Sequence, residues 1–228
     1  MPAEPPAFRC DIELSLGGRL LRAELVDEAR CLSSAVYGGG LGRVRTWVNL
    51  QVAPDYARTD PETHLAEATN GFAGPVVGML TAAKVDAVQD ITNGTARVLA
   101  TVGLGHPTAA AVLAATVHQP PPAPAGAPAR VGTINVFAVV AVPLTEAGLA
   151  GAFITAVEAK AQALAAAGVQ AANAPGWATG TASDALVIAC PPAQPAEPFA
   201  GPATPHGADL ARAVFEAVLR GCRAWRER

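Results

Sequence analysis

Ala178-Thr179-Gly180-Thr181-Ala182-Ser183-Asp184-Ala185 runs straight into Leu186-Val187-Ile188-Ala189-Cys190. The second half is an uncharged apolar run of strand length and reads as a buried strand. The first half crowds hydroxyls and one carboxylate onto the strand's entrance. Alternation puts Thr179, Thr181 and Ser183 on one face. Asp184 then shares the other with Leu186, Ile188 and Cys190. A carboxylate on an apolar face is either bonded by nearby backbone amides or placed for chemistry, and alternation leaves both open.

Working outward, Leu144 to Gly168 is the longest helical pattern, stopped by Gly168. Its expected apolar stripe is Phe153, Val157, Ala161 and Leu164. Lys160 falls on that stripe, to snorkel or to be buried and paired. Glu158 falls off its edge. Val131 to Val142 reads as a central strand, and Gly207 to Trp225 as a last amphipathic helix beyond a Pro-rich loop from Pro191 to Pro205. Toward the N-terminus, residues 1–7 read as a loose tail. Phe8 to Leu16 and Arg19 to Asp27 alternate about a Gly17-Gly18 hairpin turn. Arg30 to Tyr37 and Val44 to Val52 read as two more strands. Between them, the run Gly38-Gly39-Gly40-Leu41-Gly42 is either a plain turn or a source of exposed amides that hold an oxyanion. The Trp47/Asn49/Gln51 side of the second strand reads as a binding face or a solvated one.

Thr63 to Phe72 is expected to form a short helix, and Val76 to Ala83 a buried strand. Lys84 to Ile91 reads as a strand or a helical turn, and Thr95 to Leu104 as a strand after an Asn93-Gly94 turn. Pro107 is expected to open an alanine-rich helix to about Val117. The Pro-rich Gln119 to Ala129 reads as a long surface loop. Antiparallel strands followed by helix-strand alternation give an α+β fold. We expect one domain over 8–228, a mixed and largely antiparallel sheet covered by helices.

The composition narrows the function. Of 228 residues, 51% are hydrophobic and 15% charged, so the chain can bury a core. Net charge is −3 with no basic cluster outside the last turns, which argues against nucleic acid. No apolar run reaches the length of a membrane span, and the N-terminus lacks a signal-peptide pattern. Four separated cysteines without a C-x-x-C pair suggest reduced thiols in the cytoplasm. The four histidines lack metal spacing, and no tightly bound cofactor is expected. No G-x-S-x-G elbow is present. Hydrolytic chemistry would therefore draw on Ser33, Ser34, Thr81, Thr179, Thr181 and Ser183 as hydroxyls. Glu158, Lys160 and Asp184 are the acid-base candidates.

Several separated stretches taken in order are similar to one family. They are Ser33-Ser34-Ala35, Gly38-Gly39-Gly40, Asn49, Val77-Gly78-Met79-Leu80-Thr81-Ala82-Ala83, Gly132-Thr133-Ile134-Asn135, Glu158-Ala159-Lys160, Ala178 to Asp184 and Ala200-Gly201-Pro202-Ala203-Thr204. The set resembles the adenosylcobinamide amidohydrolases from Ser33 to the last helix. The resemblance implies corrinoid salvage by hydrolysis of the amide joining the aminopropanol arm to the corrin ring, with the corrinoid as substrate. Asp184, Glu158, Lys160 and Thr181 are then the catalytic candidates. Ser34, Gly38, Gly39, Gly40, Asn49, Thr81, His106, Asn135 and Thr179 are the substrate-binding ones. Trp47, Phe137 and Tyr37 are candidate walls for a flat ring. The chain departs from the family where Gly-Val-x-Asn-Ala is replaced by Gly103-Leu104-Gly105-His106-Pro107, and its Pro-rich segment is longer. His106 would stand in for the asparagine. Competing readings are a self-processing Thr-nucleophile enzyme and a non-catalytic corrinoid binder. A homo-oligomer stays open, since no flat apolar edge strand can be picked out.

Overall fold

The computed structural model describes residues 8–15, 18–111 and 132–227, and side chains from Leu20 onward. The expected tail 1–7, the Gln119 to Ala129 loop and most of the helix after Pro107 lie outside the described residues. The elements run β1(Phe8–Ser15), β2(Gly18–Ser33), β3(Gly40–Gln51), α1(Pro61–Ala68), β4(Val76–Thr81), β5(Gln89–Asn93), β6(Ala96–Val102), β7(Pro107–Thr108), β8(Ile134–Val140), α2(Glu146–Ala166), β9(Gly180–Thr181), β10(Ala185–Cys190) and α3(Pro205–Arg226). The main sheet has the order β4-β3-β2-β10-β8-β6-β5, with β1 added on β2. Only β3/β4 and β8/β10 pair in parallel, so the sheet is mixed and largely antiparallel, and the class is α+β. No helix among the described residues is long and apolar enough to cross a membrane.

Instead of two strands broken near Asp27, β2 is one long strand with an irregular register between Glu24 and Ala29. Before that irregularity it pairs with β1, and after it with β10, along the same edge. A bulge bends and twists a strand, and here the sheet coils until its two halves face each other. Trp47 of β3 stacks on Phe137 of β8 across the interior, ring centroids 5.1 Å apart and planes within 8°. Both are fully buried beside Leu21, Met79, Leu99 and Val187, so they are core and not cleft wall. The expectation of a solvated or binding face at Trp47 and Asn49 fails for the same reason, because the other half-sheet covers it.

The outer face of the β10-β8-β6-β5 half carries Ile134, Val136, Ala138, Ile188 and Val98 and packs under α2 and α3. The outer face of β3, with Val48 and Leu50, is covered by Leu65 of α1. α2 starts at Thr145, whose hydroxyl accepts from Gly148 N at 3.1 Å. Its buried side is Leu149, Ala152, Ala156, Ala159 and Ala163, not the stripe expected from Phe153, Val157 and Ala161. Alanine lets the helix axis approach the sheet, and the larger side chains are left on its flank. Pro107 enters β7, which pairs with β9, and so does not open a helix. Lys84 to Ile91 resolves into a single 3₁₀ turn at Val85–Ala87 followed by β5.

Cys31 and Cys222 are fully buried free thiols, and burial pushes both up to about 11. Burial raises Cys190 as well. We expect none of the three to react with iodoacetamide at pH 8 until the chain is unfolded, read by mass. Native thiols keep protons that the unfolded chain releases above its ordinary value of 9.0. Unfolding free energy should therefore be undiminished by these groups below that pH and fall as pH rises through about 11.

Candidate active site

Strands β8 and β10 run in parallel and begin side by side, Ala185 opposite Asn135. The residues before β10 do not continue it. Ala182 and Ser183 form a turn that swings Thr181 back over Asp184. The Asp184 carboxylate takes donors on both oxygens. Oδ1 accepts from Ile134 N at 3.0 Å and from the Thr181 hydroxyl. Oδ2 accepts from Thr181 N at 3.1 Å and from Lys160 Nζ of α2. The bland and the functional readings of Asp184 thus coexist, because backbone amides fix the carboxylate that an ammonium neutralises. The Lys160 and Asp184 side chains are 15% and 12% exposed, so the pair is mostly withdrawn from water yet touches it. Four donors fill the roughly four lone-pair sites of a carboxylate. Of these donors, only the Thr181 hydroxyl can rotate away without moving backbone or breaking the ion pair.

Two cavities meet at this carboxylate. The larger, about 330 Å³, opens at the end of the interior between the two half-sheets. Its lining includes the buried Thr81, Thr133 and Asn135 and the exposed Ser183, Val36 and Pro54, with Tyr56 half-buried beside them. The Thr133 and Ser183 hydroxyls are 2.8 Å apart. Asn135 is fully buried, and its Nδ2 donates to Leu80 O and Asn49 Oδ1, both at 2.9 Å. Asn49 Nδ2 donates in turn to Thr101 Oγ1 at 2.8 Å. A main-chain oxygen can only accept, so Leu80 O fixes which way the Asn135 amide points. Its Oδ1 is left without a partner. The smaller cavity, about 150 Å³, lies across the strand ends on the helix side. Phe153, Ala156, Val157 and Lys160, one stripe of α2, face Ile134, Val136 and Leu186 there. Ser34, Asp184 and Ala185 line both cavities. Ser34 is held by Leu186, donating from N to its carbonyl at 2.9 Å and accepting from its N–H at Oγ at 3.0 Å.

An ion-paired carboxylate between two cavities, ringed by hydroxyls, suits addition of water to a carbonyl carbon. Residues 14–228 match the family model described as adenosylcobinamide amidohydrolase. The chain belongs to the adenosylcobinamide amidohydrolase family. Two relatives carry that description. One from Halobacterium salinarum is 34% identical over 202 residues, 83% of this chain and 78% of the relative. One from Methanosarcina mazei is 28% identical over 197 residues, 82% and 84% of the respective chains.

This amidohydrolase gathers part of the residue set expected from its sequence. Asp184, Lys160, Ser34, Thr81 and Asn135 line the two cavities, and Thr181, which lines neither, bonds Asp184 through its amide and its hydroxyl. Asn49 lies behind Asn135 and orients it. Glu158 is exposed and lines neither cavity, so the fold does not bring it to the cavities beside Asp184. On α2 it stands two positions from Lys160, about 200° round the helix. His106 and Thr179 are exposed and also line neither. Thr179 Oγ1 accepts from Ala110 N at 2.9 Å, in the loop beside β7. Gly38, Gly39 and Gly40 form no cavity wall either. A Cβ on Gly38 would lie 2.3 Å from Val76 O, and one on Gly39 2.2 Å from Ala35 O. Close packing of the turn demands Gly38 and Gly39, whereas Gly40 has open space around it and is favoured by its φ of +93°.

Tyr56 is not picked out by the sequence, and Thr133 and Gly180 stand in the quoted stretches without a role assigned to them. Tyr56 sits in a loop without pattern, its hydroxyl 2.9 Å from His64 Nδ1. Gly180 carried a signal that spacing alone does not decode. A Cβ there would lie 2.5 Å from Asp184 Oδ2 and 2.8 Å from Lys160 Nζ. Both are ends of side chains that can yield, so Gly180→Ala should fold and displace the pair. We expect its activity to fall about 10²-fold, as a misplacement near 1 Å does. Circular dichroism should be unchanged.

Proposed function

We propose that this chain hydrolyses the amide linking the aminopropanol arm to the corrin ring of adenosylcobinamide. The products are adenosylcobyric acid and aminopropanol, or its phosphate-bearing form, and the reaction serves corrinoid salvage. The cobalt corrinoid is substrate, and no further cofactor enters the reading. The observation that carries it is the Asp184 carboxylate, held by Lys160 and two backbone amides at the rim where two cavities meet. In the proposed sequence the Thr181 hydroxyl rotates off Oδ1 and a cleft water takes its place. Asp184 removes a proton from that water as its oxygen bonds to the amide carbon. The carbonyl electron pair moves to oxygen, and the Lys160 ammonium meets the oxyanion. Collapse breaks the C–N bond, and the departing amine takes the proton back from Asp184.

The test is incubation with adenosylcobinamide followed by mass analysis. Adenosylcobyric acid is the expected product, and unchanged adenosylcobinamide under saturating protein would overturn the reading. The self-processing alternative gains no support. Thr81 is 2% exposed at the end of β4, and its hydroxyl accepts from Ala83 N at 3.0 Å. A purely non-catalytic binder is likewise without support in a family of amide-hydrolysing enzymes.

A further inference from the structure

We infer that the smaller cavity is the pocket for the leaving amine's arm, and that Phe153 and Val157 set which arms are accepted. The inference rests on the hydrolase reading above and adds a direction to the bound amide. The substrate is very unequal about its scissile bond, with a flat macrocycle on the acyl side and a short branched alcohol on the nitrogen. The two cavities are unequal in the same sense, and they meet only where Ser34, Asp184 and Ala185 line both. The smaller cavity, about 150 Å³ against about 330 Å³ for the larger, has room for a short arm of about five non-hydrogen atoms, since one water needs only ~10–15 Å³ on the same measure. A corrin fits neither cavity and must stay outside, beyond the exposed Val36 and Pro54, feeding its side chain in through the larger one.

The lining agrees with this direction. Phe153, Ala156 and Val157 of α2 and Ile134, Val136 and Leu186 of the sheet offer an apolar surface for the arm's methylene and methyl groups. Ser34 Oγ accepts from Leu186 N and keeps a proton for the arm's oxygen. Lys160 and Asp184 close the inner end, where the amide must lie. With the arm seated there, the carbonyl carbon lies at the strand ends within reach of water from the larger cavity.

The test uses three corrinoid amides: adenosylcobinamide, the same corrinoid with only a methyl group on that nitrogen, and one with a longer alkyl arm there. Val157 is 41% exposed, so Val157→Trp places an indole across the pocket without burdening the core. We expect kcat/KM on adenosylcobinamide to fall about tenfold or more, mainly through KM, and on the N-methyl amide by less than about twofold. Phe153→Ala should act oppositely, raising kcat/KM for an amide with a longer alkyl arm about fivefold relative to adenosylcobinamide. Opposite shifts from two variants cannot come from loss of folded protein. Equal changes on all amides in both variants, with wild-type turnover intact, would overturn the pocket assignment alone. Wild-type protein that cleaves none of them would overturn the hydrolase reading and this one with it.

Discussion

Asp184→Asn protein is expected to hydrolyse adenosylcobinamide on the order of 10²–10⁴-fold more slowly than wild type, while Glu158→Gln stays within about twofold. The contrast follows from position, since Glu158 is exposed and lines neither cavity. An asparagine cannot take a proton from water. It also cannot accept on both sides. Its amide nitrogen must face either Ile134 N and the Thr181 hydroxyl, or Thr181 N and Lys160 Nζ, and each choice sets donor against donor. The Lys160 ammonium then lies largely buried without its countercharge. We expect the variant to lose about 3 kcal/mol of stability, a fall of roughly 6–12 °C in Tm for a chain of this size. Turnover must therefore be compared at a temperature where circular dichroism reports both proteins folded. Wild-type rates in the folded Asp184→Asn protein would remove Asp184 from the chemistry.

Lys160→Met is the second large effect. It should cost about 10²–10³-fold in kcat with little change in KM, because the ammonium is assigned to charge that develops only in the transition state. Its stability cost should be smaller than that of Asp184→Asn. The carboxylate keeps Ile134 N, Thr181 N and the Thr181 hydroxyl, and methionine replaces most of the lysine stem. Lys160→Arg should not restore activity, since a planar fork cannot present a single point charge beside Gly180, where even a Cβ would lie 2.8 Å from Nζ. A Lys160→Met protein whose KM rises while kcat holds would place the lysine in ground-state binding instead.

Much of the architecture was legible where one interaction dominates. The uncharged run Leu186 to Cys190 and the pattern before Val140 read as buried strands, α3 follows from its apolar spacing, and α2 was legible as a long helix stopped at Gly168 though its buried stripe was not. The sheet's coiling was not legible. Asp27-Glu28 reads as a break, yet β2 continues through it, and the fold closes Trp47 onto Phe137 from strands far apart in the order. That closure turned an expected surface into core and gave Asn49 a buried partner in Asn135. Pro107 misled because proline suits a helix start and an edge strand alike. At the site, alternation flagged Asp184, and the helical stripe flagged Lys160. Their union across 24 positions depends on α2 returning over the start of β10, which no local pattern records. Gly180 was legible only as a glycine, its reason being the ion pair beside it.

A single turnover of adenosylcobinamide in ¹⁸O-enriched water, run in parallel on wild-type and Asp184→Asn protein and read by mass, tests the central claim most directly. We expect one ¹⁸O in the new corrinoid carboxylate, none in the released amine, and product from the folded variant about 10²–10⁴-fold more slowly. Product from Asp184→Asn at the wild-type rate, or wild-type product without label, would contradict it.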